Sequence, residues 1–221
     1  MSDLWLKIVT IILGSGLFII GWITIENHPE PQKFNVPTQF KTNQSPFYSE
    51  KFIPKHQTAM VHAAQANSTP EGITAYWFGG SREGARDVQI YSASYTNNQW
   101  ETPRAIIDRE KVTSDLNRYI RKLGNPVSYR FRNGKIWLFF VSVSVGGWGG
   151  SSINMIESND DGITWSKTKR LVTSPFFNIS NLVRNKPIEY QDGTIGLPIY
   201  HEFLNKFGEI IRLDESGKII D

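Results

Sequence analysis

The stretch Ser158-Asn159-Asp160-Asp161-Gly162-Ile163-Thr164-Trp165 decides the fold. It lies between two runs that we predict to be strands, Ser152–Glu157 and Lys169–Val172. A polar turn between two such runs is a hairpin signal. The fixed order of Ser, Asp, Gly, Thr and Trp in this octet favours a specialised turn over an ordinary polar hairpin.

The Ser, Asp, Gly, Thr and Trp residues of the octet each have a physical role. The side chains of Ser158, Asp160 and Thr164 are of the kind that hydrogen-bond to turn backbone. Gly162 supplies a position where φ can be positive. Trp165 then leaves the turn as a large apolar side chain, which we expect to pack on a neighbouring sheet. The octet therefore predicts a reinforced turn within an all-β fold.

Composition supports an all-β protein and excludes several functional classes. The 221 residues suffice for one large domain or two small ones, and 13% aromatic residues with 18 glycines and 11 prolines suit short strands. A net charge of +3 without a basic run gives no basis for nucleic-acid binding. Because the chain has no cysteine, disulfides and thiolate metal sites are excluded.

The N-terminal segment, residues 1–25, is predicted to be a transmembrane helix. Ile8–Ile25 carries no charge and approaches the roughly 20 residues that cross a bilayer, with Trp5 and Trp22 near its ends. We predict an uncleaved anchor with the N-terminus in the cytoplasm and the rest outside it, periplasmic or extracellular. The alternative is a cleaved signal sequence and a secreted protein.

Residues 26–56 are predicted to be an extended linker. Prolines recur through this segment among Asn, Gln, Thr and Lys, which disfavours a packed core. The folded domain is then 57–221. Within it we predict a short helical insertion over Asp108–Lys122, capped by Ser114.

A repeat runs through residues 57–221. Polar-glycine turns at Gly72, Gly134 and Gly193 recur about every 60 residues, longer than the ~40–45 of compact propeller blades. One strand is predicted before each turn and two after it. The predicted triplets are Thr58–Ala64, Ile73–Phe78 and Asp87–Ser94; Val127–Phe131, Ile136–Val145 and Ser152–Glu157; and Pro187–Tyr190, Ile195–Tyr200 and Gly208–Leu213. Two units continue into a fourth strand, so each unit has the pattern of a propeller blade.

The number of repeats falls short of a closed ring. Residues 57–221 hold about three units, whereas propellers close with roughly 4–8 blades. We therefore expect a truncated propeller whose open edge is available for association with another chain.

The loops after the second strand of each unit should meet on one face. The first carries Arg82, Glu83 and Asp87, an anion binder and two carboxylates, unless they form only a surface ion pair. The second carries Trp148 between glycine pairs, which is either a sugar-stacking platform or part of the packing between blades.

Further candidates come from the third unit and from the first strand. Tyr200, His201 and Glu202 supply a phenol, an imidazole and a carboxylate, or else a hydrogen-bonded rim. Arg184 precedes the third unit's first strand and either approaches the central channel or braces a loop. His62 lies on the first strand, where a histidine is often only packed.

No cofactor or metal is predicted. The chain has neither an H-E-x-x-H metal motif nor a phosphate-binding loop. Hydrolysis by paired carboxylates, or by a carboxylate with a tyrosine, needs neither.

With these residues in view, the chain resembles bacterial predicted neuraminidases of the sialidase (BNR-repeat) superfamily over about residues 57–221. The octet matches the Asp-box of that superfamily, with Ser158, Asp160, Gly162 and Trp165 as its structural residues. The other matching stretches are Trp77–Gly84 with Asp87–Tyr91, Leu123–Pro126, Trp137–Trp148, Leu182–Asn185 and Leu197–Phe203. The resemblance implies a six-bladed β-propeller, here truncated to about three blades, which acts on terminal sugars of glycoconjugates.

The resemblance also implies roles for site residues. Glu83 or Asp87 would be the general acid, while the later arginines and the nucleophilic tyrosine of the family belong to blades that this chain lacks. Apart from the resemblance, the residues themselves offer Tyr200 and Glu202 as a tyrosine–carboxylate pair for catalysis. Substrate binding would fall to Arg82, Arg184, His62, Trp148 and His201. In this superfamily three arginines bind the carboxylate of the substrate. The strand that normally carries the first of them corresponds to His56–His62 here, which contains no arginine. The preferred function is a sialidase-like exo-glycoside hydrolase. The alternatives are a non-catalytic carbohydrate-binding propeller, a truncated pseudoenzyme, and a polysaccharide lyase with His62 or His201 as base.

Overall fold

A computed structural model of the chain describes residues 3–26, 33–36, 45, 47–55, 60–174, 178–203 and 205–220. Most of the predicted linker and the first residues of the predicted strand Thr58–Ala64 lie outside the described residues. Contacts divide the chain into two units, Met1–Lys33 and Phe34–Asp221.

The first unit contains one long apolar helix, α1 (Asp3–Glu26). Its stretch Asp3–Ile23 has a mean hydropathy of 2.1, so it is long and apolar enough to cross a membrane. The hydroxyl of Thr10 donates to the Leu6 carbonyl (2.9 Å), which satisfies a polar group within the apolar stretch. A helix of this kind near an N-terminus fits either an anchor or a signal sequence.

The second unit consists of three antiparallel sheets in sequence order, as the repeat predicts. The first sheet contains β1 (Met60–Thr69), β2 (Gly72–Gly80), β3 (Gln89–Thr96), β4 (Gln99–Trp100) and β5 (Arg104–Ile107). The helix α2 (Arg109–Leu116) leads to the second sheet, which contains β6 (Lys122–Arg130), β7 (Ile136–Val143), β8 (Ser151–Ser158) and β9 (Lys169–Arg170). The third sheet contains β10 (Leu182–Val183), β11 (Ile188–Glu189), β12 (Ile195–His201) and β13 (Phe207–Leu213).

Two of the three hydrophobic clusters among the described residues lie between successive sheets. Strand β7 is almost continuously apolar because it contributes to both of these clusters. Leu138 and Phe140 belong to the cluster shared with the first sheet. Trp137 and Phe139 belong to the cluster shared with the third sheet. Side chains alternate across a strand, so a strand buried on both faces needs apolar residues at every position. This arrangement fixes the second sheet as a middle blade.

Helix α2 is capped differently from the sequence prediction. Asp108, not Ser114, is the N-cap, and its carboxylate accepts a hydrogen bond from the Lys111 amide (2.7 Å). Ser114 lies inside the helix near its end. Asp115 accepts from both the amide and the hydroxyl of Thr168, which ties the helix to the second sheet.

The octet forms a turn braced by side chains. Ser158 accepts a hydrogen bond from the Gly162 amide (2.8 Å) and donates to Asp160 (2.8 Å). Asp160 also accepts from the amide (2.8 Å) and the hydroxyl (2.5 Å) of Thr164. Gly162 has φ +83°, where an L-side chain is strained. Trp165 packs edge-on to Tyr76 of β2, with ring centroids 6.2 Å apart, so the turn joins the second sheet to the first.

These hydrogen bonds predict an acid-sensitive turn. Donors from Thr164 and Ser158 lower the pKa of Asp160 to about 2. Because this pKa lies below the unfolded value of about 3.9, the carboxylate stabilises the fold above that pH, and the contribution is lost as pH falls towards 2. We expect Asp160→Asn to lower the thermal midpoint at neutral pH and to flatten its decline between about pH 4 and pH 2. Circular dichroism melts across this range test it, and parallel declines in both proteins contradict it.

Candidate functional site

The innermost strand of every sheet is irregular at an equivalent point. In β1 the register shifts between Val61 and Ala64, and in β6 it shifts between Gly124 and Val127. In the third sheet the inner strand is interrupted between β10 and β11. Such bulges bend a strand and redirect its side chains.

One side chain from each irregularity enters a common cavity. His62 follows Val61, Asn125 follows Gly124, and Arg184 follows Val183. The cavity has a volume of about 330 Å³. It is lined by His62, Phe78, Glu83, Asn125, Trp148, Leu182, Arg184, Tyr200 and Glu202. Six of the nine candidates named for catalysis or substrate binding therefore lie together.

Strand alternation separates Tyr200 and Glu202 from His201. Tyr200 and Glu202 are two residues apart and both line the cavity. The Glu202 amide donates to Ser180 (2.7 Å), which fixes the end of β12, and Asn125 donates weakly to the Tyr200 hydroxyl (3.5 Å). Burial, and then the charge of Glu202, raise the pKa of Tyr200, while Arg184 opposes the rise. The phenol is therefore neutral at physiological pH until a base accepts its proton.

His201 is not brought to the cavity. Its ring stacks on Phe207 of β13 with centroids 4.4 Å apart, and its Nε2 lies 3.4 Å from a Glu209 carboxylate oxygen. The reason is the same alternation, which turns the residue between Tyr200 and Glu202 to the other side of the strand. Its predicted role in substrate binding has no geometric support.

The loop after β2 separates its charged residues. Glu83 lines the cavity, whereas Arg82 and Asp87 are not among the lining residues. Asp87 accepts hydrogen bonds from the amide and the hydroxyl of Ser81, both at 2.9 Å, and these bonds hold its pKa below the usual range. A carboxylate kept ionised in this way braces the loop and is a poor proton donor. Of the two candidate acids, the geometry favours Glu83.

His62 has an unused ring nitrogen. Its ring stacks on Phe78 with centroids 5.1 Å apart. Its Nε2 is buried and has no hydrogen-bond partner among the residues that the structure describes. Buried polar groups ordinarily have a partner, so this nitrogen lacks a hydrogen bond that a ligand in the adjoining cavity would supply.

Trp148 forms a packed wall of the cavity. It begins a short 3-10 turn, Trp148–Gly150, and a cation–π contact places Lys122 Nζ 3.8 Å from its ring centroid. On the β6 side, a Cβ added at Gly124 would lie 2.8 Å from the indole. The ring is therefore held by packing between strand and loop while it also lines the cavity, and its use as a sugar-stacking platform stays a prediction.

The close approach at Gly124 gives a prediction with a matched control. Gly124→Ala forces the Trp148 ring away from β6 and should destabilise the domain by about 1–3 kcal/mol. Gly147→Ala adds the same methyl group where no atom lies within 4 Å, at a backbone φ of −96°. Thermal unfolding of both variants tests the packing. Equal stability of the two would contradict it.

Within the ranges that the structure covers, no group of three or more His, Asp or Glu side chains could hold a metal ion.

Three residues of the site were missed from the sequence. Phe78 and Leu182 are apolar walls, and Asn125 belongs to the same set of bulge positions as His62 and Arg184. Only Asn125 left a usable signal, because aligning the three repeats places it beside the other two.

Residues 71–220 match the protein family described as the BNR repeat-like domain. No curated protein matches the chain significantly. Among solved structures, a protein of unknown function from Dyadobacter fermentans DSM 18053 is 11% identical with a TM-score of 0.60, over 75% of this chain and 54% of that one. Hadza microbial sialidase Hz136 is 17% identical with a TM-score of 0.58, over 73% and 37%. An alpha-L-arabinofuranosidase from Lactobacillus brevis is 15% identical with a TM-score of 0.51, over 75% and 57%.

These similarities establish the fold and the family. At such identities the solved structures show a shared fold alone, and this chain spans only 37% to 57% of their lengths. The described domain is all-β, with three blade sheets of the sialidase-like fold. Since the family match covers more than half of the chain, this protein belongs to the BNR repeat-like domain family.

Proposed function

We propose that this protein is a sialidase-like exo-glycoside hydrolase that removes a terminal acidic sugar from glycoconjugates. The observation that carries the proposal is the convergence of Glu83, Arg184, Tyr200 and Glu202 on one cavity of about 330 Å³. Ligand pockets begin at about 300 Å³, so the cavity suits a small ligand such as one sugar residue. The sialidase fold of one neighbour adds support at the level of fold only.

Arg184 is the proposed binder of the sugar's carboxylate. Its side chain is exposed at the cavity, immediately after β10. A guanidinium presents paired N–H groups that match a carboxylate. The predicted second cation, Arg82, lies outside the lining set, so Arg184 carries this role in the proposal.

Glu83 is the proposed general acid, and Tyr200 the proposed nucleophile. As the glycosidic bond breaks, Glu83 donates its proton to the leaving oxygen. Tyr200 attacks the anomeric carbon and passes its phenolic proton to Glu202, whose charge already acts on the phenol. Water then releases the sugar, with Glu83 acting as base in the second step.

A polysaccharide lyase is the second candidate, and His62 favours it. His62, whose buried Nε2 has no hydrogen-bond partner among the described residues, lines the same cavity as Arg184 and Tyr200. A lyase needs a base for the proton beside a uronic carboxylate, a cation for that carboxylate and an acid for the leaving oxygen, and these three side chains supply them.

The membrane arrangement belongs to the same proposal. Residues 1–25 would anchor the protein, 26–56 would act as a spacer, and 57–221 would face outward, in the periplasm or outside the cell. Cleavage of the N-terminal segment would instead release the domain. Association with another chain would use the apolar side chains that β13 exposes, Phe207 and Ile210.

A panel of fluorogenic α-glycosides, including sialosides, tests the proposal on the full chain in detergent. We expect fluorophore release from an acidic glycoside and none from its neutral counterparts. Acidic polysaccharides assayed in parallel for unsaturated sugar products identify the lyase. Binding of acidic sugars without either product indicates a binding module or a pseudoenzyme, and overturns the hydrolase.

A further inference from the structure

Lys122 occupies a junction between two walls of the cavity. It is the first residue of β6 and pairs with Val143 at the end of β7. Its side chain is partly buried, and it is not one of the residues that line the cavity. Neither the family resemblance nor the hydrolase mechanism uses it.

The side chain of Lys122 contacts the loops of two different blades. Its Nζ lies 3.8 Å from the Trp148 ring centroid, on the loop after β7. On the other side its stem runs along the loop after β2, because a Cβ added at Gly84 would lie 3.3 Å from its Cδ and 3.6 Å from its Nζ. One cation therefore touches an aromatic wall and the backbone next to the proposed acid.

Electrostatics identifies the second partner of the cation. Burial is the main cause that lowers the pKa of Lys122, and the Arg121 charge adds to it, while the Glu83 charge acts in the opposite direction. Glu83 is thus the carboxylate that favours the charged form of Lys122. A partly desolvated ammonium is attracted both by this carboxylate and by the π face of Trp148.

We propose that Lys122 is a positioning residue whose charge holds the Glu83 loop and Trp148 in their working places. The inference rests on the proposed hydrolase function, in which Glu83 must meet the leaving oxygen. Displacement of a reacting group by about 1 Å can cost about 10²-fold in rate. Lys122 would therefore act on turnover without touching the substrate.

The alternative is that Lys122 only packs its hydrocarbon stem against the loops while its ammonium group stays in water. Two variants separate charge from stem. Lys122→Met keeps an unbranched apolar chain and removes the charge, whereas Lys122→Arg keeps the charge. Lys135 supplies a matched control, since its Nζ lies 4.4 Å from the Phe131 ring and 4.9 Å from the Trp137 ring and it is absent from the cavity lining.

The first measurement is steady-state kinetics on the acidic glycoside that the full-length protein hydrolyses. We expect Lys122→Met to lower kcat by about 10–100-fold with a smaller change in KM, because Glu83 acts on the chemical step. Lys122→Arg should recover most of the loss, and Lys135→Met should leave both constants unchanged. Wild-type kcat in Lys122→Met, or equal losses in the Met and Arg variants, would overturn the inference.

The second measurement is amide hydrogen exchange, which does not depend on turnover. We expect faster exchange in residues 81–87 and 144–150 of Lys122→Met, and wild-type exchange in Lys122→Arg. Unchanged exchange of both loops in Lys122→Met would reject the positioning role. If the wild type hydrolyses no glycoside, the hydrolase proposal fails while hydrogen exchange still decides whether Lys122 holds the loops.

Discussion

Glu83→Gln is expected to lower kcat by about 10²–10⁴-fold while substrate binding persists. The amide has nearly the shape of the acid and cannot donate a proton to the leaving oxygen. Because Glu83 is exposed at the cavity, the substitution should leave the core and the thermal midpoint unchanged. Hydrolysis of the acidic glycoside gives kcat, and calorimetric titration of the variant with the same glycoside gives the affinity.

Asp87→Asn is the matched control for Glu83. It makes the same chemical change four residues further along the same loop, at a carboxylate that already accepts two hydrogen bonds from Ser81. We expect a smaller loss of kcat together with a less ordered loop. Full activity of Glu83→Gln with an inactive Asp87→Asn would assign the acid to Asp87 and refute the geometric choice.

Arg184→Met is expected to weaken binding of the acidic sugar by about 10–150-fold, the effect of losing a hydrogen-bonded pair with a charged group. Affinity for a neutral sugar of the same shape should not change, since the guanidinium pairs only with the carboxylate. Titration with both sugars measures this difference. Arg184→Lys should recover the charge without the paired geometry and so bind with intermediate affinity.

Arg82→Met controls for the general effect of removing a positive charge. Arg82 is exposed and lies outside the cavity lining. Its substitution should change affinity far less than Arg184→Met. Equal losses for acidic and neutral sugars in Arg184→Met would show that Arg184 supports the loop and not the carboxylate.

The sequence was sufficient for the repeat and for the loops that form the site. Polar-glycine turns and apolar runs are local signals, so the turns at Gly72, Gly134 and Gly193 placed most of the strands. Loops that leave equivalent strands meet at one end, which brought Glu83, Trp148 and Glu202 to one cavity.

Local patterns failed where register decides the outcome. The bulges that direct His62 and Asn125 are properties of pairing between two strands, and no single strand's composition records them. His201 was predicted with its neighbours because the phase of β12 was unknown before the structure. Similarly, Ser114 is a good capping residue by type, but Asp108 precedes the helix and accepts the hydrogen bond of the Lys111 amide.

Asp87 and Lys122 show a second reason for error. A carboxylate next to an arginine in a loop predicts catalysis and structural bracing equally well, and only the bonds to Ser81 separate the two. The sequence gives no reason to name Lys122 as a functional residue, because a lysine at the start of a strand is usually a solvated surface group. Its contacts depend on two loops from different blades.

A crystal structure of full-length Glu83→Gln with a glycoconjugate that ends in an acidic sugar tests the proposed site most directly. We expect the sugar to occupy the cavity between His62, Asn125 and Arg184, with its carboxylate paired to Arg184. Its anomeric carbon should lie between residue 83 and the Tyr200 hydroxyl. A sugar bound elsewhere, or bound here with its carboxylate turned away from Arg184, would contradict the proposed site.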